Sequence, residues 1–593
     1  MKGKVLLKLF VVFALCVLVE NTVCAQGVLR EVSLERQINK SSLVVEGKVV
    51  KKKSVWNAVR NRILTINTVE VYKTFKGKSN LQIEVVTPGG AIGSVAQMVT
   101  PSLKLNVNDT GVFTLYDNNI DLDLQAKSSL KKYKAYSSLQ GFYKYDLLNN
   151  TATNPFKKSK NISNNLYNQI TAITKEPYKE LVSFDVSAKS ALLATKSSSA
   201  LAPAITGLAP LTITAGNEDA ITISGSGFGA NPGKVEFKNA DDGGASYVEA
   251  LSSQILYWTD DEIVVEVPTE AGTGNIRVTD NVDASIVSTE VLVVSYALLN
   301  YDNDMDGEVV LPQHFGTQGT GMTWQMHTEF DANTAAKESF LRAMETWRCE
   351  TKINWVLGSP TTIKEGVIDD TNVIAFDDAT NPLEDGVLGQ CRTTTGSCGD
   401  TRDLVTELDV IFDNDTSWNY GPDPTTGSDY DFETVTLHEL GHGHQLGHVI
   451  DDTGDVMHFS ITNGEDIRLL NSDNAAAAGI IQNFSTTTQM CGQTMMTDYS
   501  GSCSLSVAYE EALANEISVY PNPVESILYI ENGSAFNLDK VMLFDVAGRA
   551  ILSLDLENAP RTKAIDLSTI SKGIYFINVF SGNAMVSKKI LIE

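Results

Sequence analysis

Five of the chain's seven histidines, His438, His442, His444, His448 and His458, fall within 21 residues, and Glu439 follows the first of them. On a helix over Val435 to His442, His438 and His442 are one turn apart and project from the same face, so two imidazoles can meet one metal ion. Zinc takes such nitrogen ligands, and a hydrolytic centre keeps three protein ligands and one position for water. His448 is the third if the chain turns back after Gly443; the other candidate is a downstream acid, nearest at Glu465. Glu439 sits beside the first ligand but points elsewhere, where it can take a proton from water activated by the metal. The chemistry implied is hydrolysis of a peptide carbonyl.

The segment HELGHGHQLGH followed by Asp455-Val456-Met457-His458 resembles the metzincin metalloproteases, which carry HExxHxxGxxH and then a Met-turn beneath the zinc. The resemblance implies His438, His442 and His448 as zinc ligands, Glu439 as general base and Met457 as the Met-turn methionine. Gln445 departs from the pattern, because the family has glycine there. A non-glycine residue in a left-handed turn costs about 1 to 2 kcal/mol, and Gly443 or Gly447 is expected to absorb part of the turn. His444 and His458 are expected on the surface or behind the ligands.

Elements that could position this segment extend over residues 299–485. Thr323 to Phe330 alternates like a strand, and Ala336, Phe340, Ala343 and Trp347 recur at helical spacing. Val373 to Phe376, Val387 to Arg392 and Leu408 to Phe412 read as further strands, and Ala475 to Ile481 as a closing helix. This order resembles the matrixin-like metzincins, and by that likeness Val387 to Arg392 is the edge strand that pairs with an extended substrate. Asp302, Asp304 and Asp306 in DNDMDGE have the early part of a calcium loop, but Gln313 stands where the bidentate glutamate belongs. Calcium is therefore a secondary candidate beside zinc, and a solvated acidic linker is the competing reading.

The N-terminal residues read as a secretory signal over 1–25, with basic Lys2, Lys4 and Lys8, an apolar run and Val23-Cys24-Ala25 at its end. No later stretch approaches the roughly 20 apolar residues of a membrane span. Export permits disulfides. Close spacing suggests Cys391 with Cys398 and Cys491 with Cys503, the second pair in a connector over 486–516, leaving Cys349 over.

Residues 27–185 are β-rich, with strand patterns at Leu43 to Val50, Ile63 to Tyr72 and Leu81 to Thr87, and residues 186–202 are small and polar like an exposed linker. Residues 203–298, with SGSGFG at Ser224 to Gly229, resemble the immunoglobulin-like IPT/TIG domains; such a module implies a spacer or binding surface, with no chemistry. Residues 517–593, with VYPNP, VMLFDVAGR and GIYFINVFSG in order, resemble the C-terminal sorting domain of type IX secretion substrates. That likeness implies export by the type IX machinery, then release or attachment to the outer cell surface.

The net charge of −27 disfavours nucleic acid as a partner. Residues 27–200 carry 25 Lys/Arg against 13 Asp/Glu, whereas residues 201–593 carry 18 against 59, so the N-terminal part can dock on the remainder electrostatically. Residues 26–348 contain no cysteine, so a candidate pro-domain here cannot use the matrixin cysteine switch and must block the zinc differently. The expected fold class is multi-domain: an α+β metzincin-type zinc protease domain flanked by all-β immunoglobulin-like sandwich modules. The expected function is a secreted zinc endopeptidase acting on protein or peptide substrates. The alternative is a surface adhesion or glycan-binding protein with a vestigial protease site.

Overall fold

The structure, a computed structural model, describes residues 28–118, 120–123, 128–198, 202–301, 309–317, 321–399, 402–501, 503, 517–532, 538, 540–546, 549–556, 559–581 and 584–593. The signal segment and the acidic loop of Asp302, Asp304 and Asp306 lie outside the described residues. Gln313, the last position of that loop, is buried and donates from Nε2 to the Thr488 carbonyl.

The long strands Leu43–Trp56 and Ile63–Lys76 begin a nine-stranded N-terminal sheet. Because Leu43–Trp56 also pairs with Thr110–Asp117, five of its strands close into a ring around Val45, Val69, Ile83, Val85 and Phe113. The expected linker is instead largely helical over Val186–Ser197. Asp185 caps it, accepting from the Ala188 N–H, and the alanines, leucines and lysines that made the segment read as small and polar are also good helix formers. Only Val186 and Ser190 of this helix are buried. The next module packs two four-stranded antiparallel sheets over Ile221, Ile223, Phe237, Ile263 and Val278. A three-stranded and a four-stranded sheet enclose the C-terminal core of Leu528, Ile530, Leu543, Ile577 and Val579.

Between these lies a mixed sheet with helices against it. The run read as one strand over Thr323 to Phe330 is a strand only over Met322–Met326, because His327 caps a short helix over Thr328–Ala332. Thr334–Thr351 is the expected long helix; Asn333 caps it, and Ala336, Phe340, Ala343 and Trp347 are buried along one face. The strands run Trp355–Leu357, Met322–Met326, Asn372–Phe376, Asp403–Phe412 and Gly389–Gly396 across the sheet, and Ser472–Thr487 is the closing helix. The edge strand is thus shifted by two residues from the expected Val387 start.

That edge strand already has a partner. Val95–Thr100 of the N-terminal domain pairs with it antiparallel, from Val95 opposite Gly396 to Thr100 opposite Cys391, and the short strand Gly90–Ile92 follows outside. Just before the edge strand, Leu388 donates to the Val28 carbonyl, Arg30 donates to Gly386, and Val28 enters the same core as Trp324 and Phe432. The basic surplus meets acidic residues of the central domain: Arg36 lies 2.6 Å from Asp385, Lys134 2.8 Å from Glu384 and Arg62 2.8 Å from Glu365. Such partly exposed pairs are worth about 0 to 1 kcal/mol each, so they orient the docking while strand pairing sets its register.

The disulfides join Cys349 to Cys503 and Cys398 to Cys491, and Cys391 is free and buried. The expected pairings fail on geometry. Cys391 lies inside the edge strand and Cys398 just beyond its end, so at about 3.3 Å per residue they stand roughly 20 Å apart, whereas bonded cysteines here have Cα separations of 5.5 and 5.7 Å. The connector is stapled to the central domain at both cysteines. Among the described residues no helix is long and apolar enough to cross a membrane.

Candidate metal centre

The helix Phe432–Gly443 carries the first half of the motif and is buried on every face. Its start is held firmly: Asp431 accepts from the Thr434 N–H at 3.0 Å and is gripped by the Arg468 guanidinium at 2.6 and 2.9 Å. Midway along, Trp347 Nε1 donates to the Leu437 carbonyl at 2.9 Å. The helix ends after Gly443, and the chain then turns sharply.

Gln445 makes that turn itself, with φ of 67°, while neither Gly443 nor Gly447 takes a positive φ. The expected sharing of the turn by flanking glycines is therefore wrong. The left-handed backbone is compensated by side-chain bonding: Gln445 Nε2 donates to the Gly443 carbonyl at 3.0 Å, and Tyr301 donates to Gln445 Oε1 at 2.9 Å. Glycine could make neither bond. Tyr301→Phe leaves that buried oxygen without its donor, and is expected to lower unfolding stability by about 1 to 3 kcal/mol in a denaturant titration. An unchanged midpoint would show that the tyrosine does not support the turn.

The turn brings His448 back to His438 and His442, with one nitrogen from each within 4.8 Å of the others. Every Nδ1 faces an acceptor: His438 the Val456 carbonyl at 2.7 Å, His442 the Leu446 carbonyl at 2.9 Å, and His448 the Asp241 carboxylate at 2.7 Å. Each ring is thereby set with its proton on Nδ1 and a lone pair on Nε2. Nε2 of His438 and of His442 is buried with no hydrogen-bond partner. Burial, then the neighbouring imidazoles, pulls His438 well below the usual histidine range and His442 down to about 3, so both rings are neutral. Buried neutral imidazoles with converging lone pairs fit a zinc ion. The one other such cluster among the described residues, Glu345 with Cys349 and Cys503, has its two sulfurs joined in a disulfide.

Glu439 is buried beside this cluster, with neither oxygen hydrogen-bonded to a side chain, and burial pushes its carboxyl well above the usual range. The Cys391 backbone on the edge strand is the group that opposes this rise. Met457 lies directly under the helix against Gly441, at a position where a Cβ would collide with its sulfur. Glu465, the alternative third ligand, is exposed and outside the cluster.

His444 is not on the surface. It is buried between Trp347, Trp355 and His314, with Nε2 3.0 Å from Thr351 Oγ1. His458 is buried too, with Nδ1 2.6 Å from the Ser460 carbonyl. Asp241 had no signal of its own in the sequence, lying in a turn 207 residues before His448. Lys104 reaches it from the N-terminal domain at 3.2 Å. Burial works to raise the Asp241 carboxyl, but Lys104 and the His448 imidazole outweigh it and hold it well below the usual range.

Three segments match family models: 318–482 the matrixins, 203–294 the IPT/TIG domain and 518–593 the secretion system C-terminal sorting domain. The matrixin match points to a metalloendopeptidase, and the sorting domain marks the protein for export, either secreted or attached to the cell surface. No curated protein matches the chain. Among solved structures it is similar to a crystal structure of domains CD of another protein, at 24% identity over 17% of this chain and 35% of that one, with a TM-score of 0.13. It is also similar to the BSP domain of a biofilm associated protein, at 8% identity over 92% of this chain and 81% of that one, with a TM-score of 0.17. The chain thus spans about a third of the first of these structures.

Proposed function

We propose that the protein is a secreted zinc endopeptidase held latent by its own N-terminal domain. The observation that carries the hydrolytic reading is the convergence of three oriented imidazoles beside a buried, unpartnered Glu439. His438, His442 and His448 would hold the metal through Nε2. When bound, zinc supplies a Lewis acid that polarises a carbonyl and lowers the pKa of water. Glu439 takes a proton from the attacking water as its oxygen joins the peptide carbon, then delivers that proton to the departing amide nitrogen as the carbon–nitrogen bond breaks. Met457 supports the helix turn that carries two of the ligands. The edge strand Gly389–Gly396 would bind the substrate backbone as an added strand.

Latency is supported by the occupant of that strand. Val95–Thr100 pairs with it in the antiparallel sense, Gln97 Nε2 lies 3.4 Å from Thr394 Oγ1, and the Pro101 carbonyl lies 3.5 Å from Gln390 Nε2. A substrate needs the same backbone groups. The N-terminal domain would therefore inhibit by strand occupancy, without a cysteine.

Metal dependence tests the hydrolytic reading. After nicking within residues 186–202 and removal of the N-terminal domain, the protein is expected to contain zinc and to cleave a broad peptide library. A chelator should abolish cleavage and added zinc should restore it. A purified mature protein that carries no zinc and cleaves nothing would leave adhesion as the better reading.

A further inference from the structure

We infer that the IPT/TIG module completes the metal centre: its Asp241 positions His448 for zinc through a hydrogen bond to Nδ1. This rests on the zinc reading above and extends the centre to a module expected to carry no chemistry. His438 and His442 lean on carbonyls of their own domain, Val456 and Leu446. His448 alone leans on another module, and on a carboxylate, at 2.7 Å. A carboxylate partner fixes the ring's orientation and makes the opposite nitrogen a better donor to a metal than a carbonyl does. His448 is also the one of the three that follows the left-handed Gln445 and stands outside the helix.

The contact is built rather than incidental. Asp241 sits in a short turn, Ala240–Asp242, whose start is fixed by the Asn239 side chain accepting from the Asp241 N–H at 3.1 Å. The same turn region packs on the loop that follows His448. Phe459 lies against Gly243, and Ile450 lies against Gly272, where a Cβ would stand only 2.8 Å from Ile450 Cδ1. Asp241 spends its second oxygen on Lys104, which also pairs with Glu270 at 3.1 Å. One carboxylate oxygen thus faces the imidazole and the other faces the ammonium.

The test is zinc affinity of the full-length protein, measured by competition with a chromophoric chelator, together with the visible spectrum of the cobalt-substituted protein. Asp241→Ala is expected to weaken zinc about 10- to 100-fold and to alter the cobalt spectrum, with Asp241→Asn falling between it and wild type. Ile450→Ala, which loosens the same interface without touching the carboxylate, is expected to bind zinc as wild type does. Equal affinity in wild type and Asp241→Ala overturns the inference. So does an Ile450→Ala protein as weak as Asp241→Ala with Asp241→Asn unchanged, because packing would then be the cause. A wild type that takes up no zinc overturns the zinc reading itself, and this inference with it.

Discussion

Replacing Glu439 with glutamine is expected to cut peptide hydrolysis by about 10²- to 10⁴-fold, the span general-base catalysis supplies, in protein freed of its N-terminal domain, while zinc content stays unchanged. Glutamine keeps the size of the side chain, but it has no site for the water's proton. It is not among the three converging nitrogens, so the metal should be retained. Steady-state turnover with metal analysis on the same sample separates the two effects. Wild-type turnover in the variant would remove Glu439 from the chemistry, and loss of zinc together with activity would make its role structural.

The second large effect concerns the strand Val95–Thr100 paired with the edge strand. A tethered strand acts at an effective concentration of about 1 mM, so against a peptide supplied at about 10 µM it reduces peptide occupancy of the edge strand by roughly 100-fold where both bind with a dissociation constant well below about 10 µM, and by less where binding is weaker. Nicking within 186–202 and releasing the N-terminal domain is therefore expected to raise peptide cleavage by up to about 100-fold. Met98→Pro tests the same contact in the intact chain. Ser94 accepts from the Ser397 N–H at 2.8 Å, so by alternation the Met98 N–H, opposite Thr393, also faces the edge strand, and proline removes it. That variant should show part of the gain without any cut. Full activity with residues 27–200 attached and uncleaved would end the latency proposal.

Much of the candidate centre was legible because it is local. His438, Glu439 and His442 lie on one helix, and helical periodicity alone decides which side chains share a face. Met457 and His448 were found through a motif of fixed spacing. The long helix at Thr334–Thr351 could be read from the recurrence of Ala336, Phe340, Ala343 and Trp347, since burial of one face leaves that pattern in the residues themselves. The IPT/TIG and sorting segments were legible for the same reason, as short strands and turns in a recurring order.

What the tertiary structure decided involves partners far apart in the chain. Spacing suggested Cys391 with Cys398, but an extended strand separates them, and the bonded pairs span 154 and 93 residues. His444 shares the motif's sequence yet points into a tryptophan-lined core, because its two-residue offset from His442, about half a helical turn, sends it away from the other imidazoles. Gln445 could be seen as a departure, but not that Tyr301 would hold it in a left-handed turn. Above all, the sequence by itself determined a helix with two imidazoles on one face and a third able to meet them, while only the packing of modules determined that Asp241 backs the third imidazole and that Val95–Thr100 pairs with the edge strand. Backbone periodicity writes local geometry into residue spacing; contacts between separately folded modules depend on how their surfaces dock, and no spacing records that.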